Sequence, residues 1–468
     1  MAGLLWFRQD LRLKDNPALH NCAKENNKIF AAYIYAPKEQ GNWEMGGAAK
    51  WWLHKSLQAL EAKIKNQKGR LFVEKGKAST LLKKLCKAEK ITSVYCNRCY
   101  EPFFIEQEED VRKKLAEEGI VLKVFDGNLL IPPEKIRSKQ GNIYQVYTPF
   151  WKTLRKEEIQ KAAPQPRNLQ FEKSILAGKT IDQLKLFPSW NLKEIPAVWA
   201  PGEDAAQNKW RYFFKNKITN YKRDRDFPAK DATSRLSPHL HFGEISPREI
   251  WHKALEEGSS SAGCFLQELA WREFSYHLLF HFPYTAQKNL KSKFSRFPWQ
   301  KNKKLLTAWQ KGKTGVPIVD AGMRELWQTG WMHNRVRMIV ASFLIKDCLI
   351  HWLEGAKWFW DTLVDADLAN NTMGWQWTAG SGADAAPFFR IFNPYTQAEK
   401  FDPEGAYIKK YLPELSQLPL KYLYDPSKAP KDVLENAGVS LGKSYPKPII
   451  DHSAARKKTL SLFKKIKK

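Results

Sequence analysis

Five short apolar runs punctuate the first 126 residues, and helix-like segments separate them. The sequence predicts strands over Leu4–Phe7, Ile29–Tyr35, Leu71–Val73, Ile91–Tyr95 and Val121–Phe125. Between the second and third, Leu53, Leu57, Leu60 and Ile64 recur at helical spacing. Such an alternation admits few folds. Parallel strands need crossovers, and helices supply them on both faces of the sheet. Residues 1–130 therefore read as an α/β N-terminal domain with a Rossmann-like parallel sheet. The glycine-rich dinucleotide fingerprint is absent, so no nucleotide site follows there. Residues 131–200 read as a connector, punctuated by Pro132, Pro133, Pro149, Pro164, Pro166, Pro188 and Pro196. Residues 201–468 read as a larger all-α domain.

The charge narrows the partners. Lys and Arg number 77 against 49 Asp and Glu, a formal charge of +28. A polyanion, nucleic acid first, is the expected partner, although a generally basic enzyme has the same balance. Of six cysteines only Cys96 and Cys99 have a metal or redox spacing, and no second pair follows them. They read as reduced thiols, and no metal is expected. The N-terminus lacks a secretory leader, and no uncharged apolar run reaches membrane-span length. A cytoplasmic protein with no membrane partner, acting as a monomer, is the expectation. The Lys-rich end, RKKTLSLFKKIKK, reads as a solvated or frayed tail, with DNA binding as the alternative.

The densest chemistry lies between Asp365 and Pro394, in DADLANNTMGWQWTAGSGADAAPFFRIFNP. Asp365, Asp367, Asn370 and Asn371 offer donors and acceptors to a polar heterocycle. Gly374, Gly380 and Gly382 permit close backbone approach. Trp375 and Trp377, two apart on a helix, point to nearly opposite sides. An aromatic core helix followed by a loop is the alternative. Tyr221, Arg225 and the Thr233–Ser237 run TSRLS suit a phosphate-bearing ligand beside a helix start. Ser-Pro at 237–238 is equally compatible with a simple turn. In QELAWREF, Glu268 and Trp271 share a helix face, a carboxyl beside an indole that can hold a base. The alternative is an exposed helix with a local salt bridge. In GWMHNRVRM, His333 invites an acid/base reading, but a lone histidine is more often structural.

These segments together resemble the photolyase/cryptochrome family, closest to class I cyclobutane pyrimidine dimer DNA photolyases. LLWFRQDLRLKDNPAL, TSRLSPHL, WREF, GWMHNRVRM, WQW and FDPEGAYIKKYLPEL carry the resemblance over nearly the whole chain. It implies FAD held by Tyr221, Thr233, Ser234, Arg235, Leu236, Ser237, Arg337, Asp365, Ala366, Asp367 and Asn371. Arg337 would pair with Asp365 beside the flavin, and Asn371 would sit opposite its N5. Glu268, Trp271, Asn334, Arg335, Met338 and Trp377 would contact DNA containing pyrimidine dimers. Trp375, Trp352 and Trp299 would form an electron-transfer chain from flavin to surface, and Glu268 and Asn371 join them as the catalytic set. The implied activity is light-driven repair by electron transfer from excited reduced FAD. A second, antenna chromophore, 5,10-methenyltetrahydrofolate or a deazaflavin, often accompanies it. The Asn-Glu pair of folate-binding relatives is replaced here by Phe103 and Phe104. The alternatives are repair of the (6-4) photoproduct, where histidine typically stands at Met338, a cryptochrome-like blue-light photoreceptor, and a non-enzymatic basic DNA-binding protein.

Overall fold

The computed structural model describes residues 2–166, 169–187, 190, 195–388 and 390–467. Pro188 of the connector lies outside them. Strands β1 (Ala2–Phe7), β2 (Lys28–Tyr35), β3 (Leu71–Lys75), β4 (Ser93–Asn97) and β5 (Val121–Phe125) form one sheet in the order β3-β2-β1-β4-β5, parallel throughout. Alternate residues of β1 serve opposite layers. Leu5 and Phe7 pack with Leu53, Leu57, Leu60 and Ile64 of the helix Gly47–Asn66. Leu4 and Trp6 pack with Leu82, Leu85, Val111 and Leu115 on the other face. Burial on both faces explains why these strands read as continuous apolar runs.

Four of the five strands differ from expectation by one or two residues at an end, and the start of β4 has a local cause. Ile91 does not begin β4, because its N–H is still bonded to the Cys86 carbonyl at the end of the preceding helix. Pairing therefore starts two residues later, at Ser93.

Strand order reverses between β1 and β4, where α/β folds open a crevice at the carboxyl ends of their strands. Here the chain's own side chains fill much of it. Arg8 Nη2 donates to the Asn97 carbonyl at 2.7 Å and to Glu108 at 3.0 Å, and Asn97 Nδ2 donates to Asp10 at 2.6 Å. Arg12 is fully buried and donates to the carbonyls of Asp15, Gly127 and Gly243. Asp15 pairs with Arg248 at 2.8 Å. The polar residues of FRQDLRLKD thus clamp the sheet onto the helical part.

Helices dominate from Glu203 onward. The terminal Lys-rich stretch is not frayed. It forms the helix His452–Lys467, with Thr459, Phe463 and Ile466 buried on one side. Phe463 and Ile466 join Phe294, Phe297 and Phe388 in a small core, and Thr459 Oγ1 donates to the Lys346 carbonyl at 2.6 Å. The inward residues recur at helical spacing, so the lysines are the solvated side of a docked amphipathic helix.

Candidate active site

A cavity of about 420 Å³ opens between three helices: Ser260–His281, Asn334–Ser342 and Leu368–Ala379. It gathers residues that are far apart in sequence. Glu268, Trp271, Asn334, Arg335, Arg337, Met338, Asp365, Ala366, Asp367, Asn371, Trp375 and Trp377 all line it.

Asp367 caps the Leu368–Ala379 helix, its Oδ1 accepting from Asn370 N at 2.8 Å. Its Oδ2 accepts from Tyr276 OH at 2.5 Å and lies 3.3 Å from His241 Nδ1. Burial works to raise its pKa, but the bond to His241 and the charges of His241 and Arg272 hold it down at about 2. Glu101, also buried, goes the other way, pushed up by burial and by Asp367. The ligand atoms of Glu101, His241 and Asp367 lie within 4.8 Å of one another. Gln9 and Tyr276 donate into the same carboxylates, and Glu101 Oε2 has no partner among the described residues.

Asp365 sits one step outward. Arg337 Nη2 reaches both its oxygens, at 3.0 and 2.9 Å, and Ser237 Oγ donates to it at 2.6 Å. The ion pair leaves a guanidinium at the cavity wall, fixed by a second bond to the Met332 carbonyl. Asn371 Nδ2 donates to the Ala356 carbonyl at 3.0 Å, which leaves its Oδ1 toward other partners. Gly374 bears no neighbour where a Cβ would stand and opens on the cavity. The other two glycines do different work. Gly380 ends the helix in the left-handed conformation at φ 76°, and a Cβ on Gly382 would meet Gln376 at 2.9 Å.

Thr233, Ser234, Arg235 and Leu236 do not line this cavity, and neither does Tyr221. Tyr221 is buried among Phe213 and Phe265 with the Arg225 guanidinium over its ring. Arg235 adopts φ 50°, turning the chain sharply ahead of the helix Ser237–His241, and Leu236 is buried. Arg235 Nε is buried without a hydrogen-bond partner among the described residues. Such an orphan donor is costly, and the guanidinium that carries it lies over the Trp331 ring.

The opposite wall carries Glu268 and Trp271. Glu268 is paired with Arg225 at 2.6 Å rather than with Arg272, which pairs with Glu273. Arg225, grouped in the sequence with a phosphate grip, therefore belongs to this wall. Trp271 is stacked on Tyr147, with ring centroids 3.6 Å apart and planes 7° from parallel. His333 is structural: it caps the Asn334–Ser342 helix through Arg335 N, and burial lowers its pKa to about 4.

Trp375 and Trp377 both border the cavity and differ in burial, where their spacing predicts opposite sides. Trp375 is buried against Phe359 and Trp309, and Trp377 is half-buried. The Trp375 indole lies where a Cβ on Gly355 would stand, one turn after Trp352 on the helix Trp352–Thr362. Trp352 is fully buried and donates Nε1 to Asn289 Oδ1 at 2.9 Å. Trp299 is half-buried, edge-on to His351 at 5.3 Å, and His351 lies 5.5 Å from Trp352. Trp375 thus meets the helix of Trp352 at Gly355, and His351 touches both Trp299 and Trp352.

A second cavity, about 40 Å³, lies at the carboxyl ends of β1 and β2. Arg8, Gln9, Tyr35, Glu101, Phe104 and His241 are among its walls. It has room for only a few waters as it stands.

Sequence reasoning missed Tyr147, Tyr276, His241, Glu101 and the Arg225–Glu268 pair. Only Tyr276 carried a signal, since it follows Arg272 by four residues on one helix face.

Comparison with known proteins extends these observations. A family model described as DNA photolyase matches residues 3–167, and one described as the FAD binding domain of DNA photolyase matches residues 265–465. Over 473 residues the chain is 46% identical to a deoxyribodipyrimidine photo-lyase of Agrobacterium fabrum, covering 99% of this chain and 98% of that one. It is 37% identical to cryptochrome-2 of Arabidopsis thaliana, over 97% of this chain and 77% of the relative. The crystal structure of a bacterial class III photolyase from Agrobacterium tumefaciens matches with a TM-score of 0.96 at 45% identity, covering 100% of this chain and 98% of that one. That neighbour is described as class III, whereas the motifs read closest to class I.

Proposed function

The chain belongs to the photolyase/cryptochrome family, and on that premise we propose that it is a deoxyribodipyrimidine photo-lyase that binds FAD and splits cyclobutane pyrimidine dimers in DNA with light. The observation that carries this reading is a shared cavity: Arg337, Asp365, Ala366, Asp367 and Asn371 of the residues assigned to flavin, and all six assigned to the lesion, line one space of about 420 Å³.

FAD, when bound and reduced, would supply the light-driven electron-transfer chemistry that opens the dimer's ring bonds. The residues here bind and orient. Arg337, held by Asp365, keeps a positive charge at the wall. Asp367 stays a carboxylate and offers a fixed acceptor. Asn371 and the Gly374 face admit a flat ring. Trp271 and Trp377 present flat apolar walls to a base flipped out of the duplex, with Asn334 and Met338 between the two sites. Glu268 offers a carboxylate to the polar edge of that base. Trp375, Trp352 and Trp299 carry electrons to an oxidised flavin. The small cavity beside Glu101 is the place for an antenna chromophore, and it would have to widen to admit one.

Illuminated, flavin-loaded protein should restore DNA carrying thymine dimers and leave (6-4) photoproducts unchanged. Conversion of the (6-4) lesion with dimers untouched would overturn the reading of Met338. A photoreceptor without repair activity would bind flavin and leave both lesions in place.

The charge of +28 makes a second prediction. Affinity for undamaged duplex should fall steeply with salt, since each phosphate contact releases condensed counterions. Six to ten contacts would cost roughly a thousandfold or more between 50 and 200 mM salt. A flat dependence in a binding titration would remove the basic face from the argument.

Among the described residues no helix is long and apolar enough to cross a membrane. Action as a monomer in the cytoplasm accompanies the proposal. All six cysteines are free, as a reducing compartment would keep them, and sedimentation of the purified chain tests the monomer.

A further inference from the structure

The connector holds a residue of the lesion site. We propose that Tyr147 is a positioning residue for substrate: it fixes the plane of Trp271 from behind and ties that wall to the loop following Trp377. The inference rests on reading Trp271 and Trp377 as walls of the lesion pocket.

Three contacts carry it. First, the Tyr147 ring lies flat on the Trp271 indole, 3.6 Å between centroids and 7° between planes. One full face of Trp271 is thereby occupied, and a base can stack only on the other. Phe274 meets both rings edge-on, at 5.9 Å each, and blocks rotation of the pair. Second, Tyr147 OH donates to the Gln267 carbonyl at 2.7 Å. Gln267 precedes Trp271 by one helical turn, so the tyrosine grips the Ser260–His281 helix at two levels. Third, Tyr147 N donates to Asp384 Oδ2 at 3.3 Å, and Asp384 N donates back to the Gln145 carbonyl at 3.0 Å. Asp384 stands at φ 44° in the loop after the Leu368–Ala379 helix that carries Trp377. The 145–147 segment therefore bridges the elements that bear the two indoles.

The physical consequence is preorganisation. An indole free to rotate must be ordered when a base stacks on it, and that cost is subtracted from affinity. An indole already held against a second ring has lost that freedom on folding and loses little more on binding. Tyr147 is buried and acts only through Trp271, so its effect belongs to flipped, flat bases and not to backbone phosphates.

The test compares Y147L, Y147F, D384G and W271A by their affinities for dimer-containing and undamaged duplex of one sequence. FAD absorbance per chain and the photoreduction rate are measured alongside. Y147L should lower the ratio of lesion to undamaged affinity by roughly two- to tenfold, the span of an aromatic pair's contribution. Its affinity for undamaged duplex, its flavin content and its photoreduction should not move. Y147F keeps the ring and should retain the ratio within roughly twofold, since only the bond to Gln267 is lost. D384G releases the bridge with a residue that tolerates positive φ and should shift the ratio in the same direction as Y147L. A wild-type ratio in flavin-loaded Y147L, with W271A lowered, overturns the inference alone. A wild-type ratio in W271A overturns the underlying reading of Trp271, and the inference with it. Should Y147L fail to hold flavin, D384G decides, and an unchanged ratio there overturns the bridge.

Discussion

Replacing Trp352 by phenylalanine should slow light-driven reduction of the oxidised flavin by at least about a hundredfold, while repair by already reduced enzyme is nearly untouched. Each 1.4 kcal/mol of added barrier costs a factor of ten, and a phenyl ring is so much harder to oxidise than an indole that two such steps are a low bound. Geometry makes Trp352 the sensitive position. Trp375 reaches its helix over Gly355, and Trp299 reaches it through His351. The Nε1–H of Trp352 is held by a neutral amide oxygen, Asn289 Oδ1, which stabilises positive charge on the ring. Phenylalanine removes both the redox group and that bond, leaving Asn289 Oδ1 without its donor. A stability loss of about 1–3 kcal/mol should accompany the change, so thermal unfolding must be measured with it. Transient absorption of the oxidised flavin reads the rate, and repair by dithionite-reduced enzyme supplies the control. Unchanged photoreduction in folded protein would mean that electrons enter by another path, with Trp352 a packing residue.

The tryptophans show what a sequence can and cannot display. Spacing announces that Trp375 and Trp377 diverge, because two residues on a helix turn through about half a circle; in the structure one is buried and the other half-buried, while both border the cavity. Spacing says nothing of Trp299 and Trp352, which approach through tertiary packing across more than fifty positions. Only resemblance brought them forward. The sheet was legible for a similar local reason. Strands buried on both faces must be apolar throughout, and Leu4–Phe7 or Ile29–Tyr35 could hardly serve another purpose. Ile91 misled because it is apolar for the sake of the helix end it closes. The terminal helix misled because lysine dominates its composition while its buried face is built from a few residues a turn apart. At the site, the Asp365–Arg337 contact came with the resemblance, and the geometry has that pair within hydrogen-bond distance. The buried set around Asp367 was hidden, since Glu101, His241 and Tyr276 come from three distant segments and meet only where the sheet docks on the helices. Arg225 was visible but misassigned. A guanidinium near hydroxyls looks like a phosphate grip whichever carboxylate finally takes it.

That reassignment changes what Glu268→Ala should do. The sequence suggests a carboxyl among indoles and a methionine, with an apolar surround. The structure gives it an arginine at 2.6 Å, so the side chain enters the cavity as half of an ion pair. Removing it withdraws an acceptor from the polar edge of the bound base and leaves Arg225 without its carboxylate in the same wall. Loss of a partnered polar group costs about 1–3 kcal/mol, and the lower part of that span applies here because about a third of the Glu268 side chain meets solvent. Lesion affinity should therefore fall by roughly tenfold. Repair yield per photon should fall as well, because the contact orients the dimer in the cavity and a misplaced reacting group reacts slowly. Undamaged DNA should bind at least as well as before, since a negative charge has left the basic face and Arg225 is free to meet a phosphate. Flavin content should stay at the wild-type level, because Glu268 touches none of the Asp365–Arg337–Ser237 set. The double variant with Arg225→Ala separates the two losses. If the cost lies in the stranded guanidinium, the second substitution restores part of the affinity. If it lies in the missing acceptor, the double variant is as weak as E268A or weaker. Wild-type quantum yield and lesion affinity in flavin-loaded E268A would make the carboxylate a tether for Arg225 and remove it from the repair site.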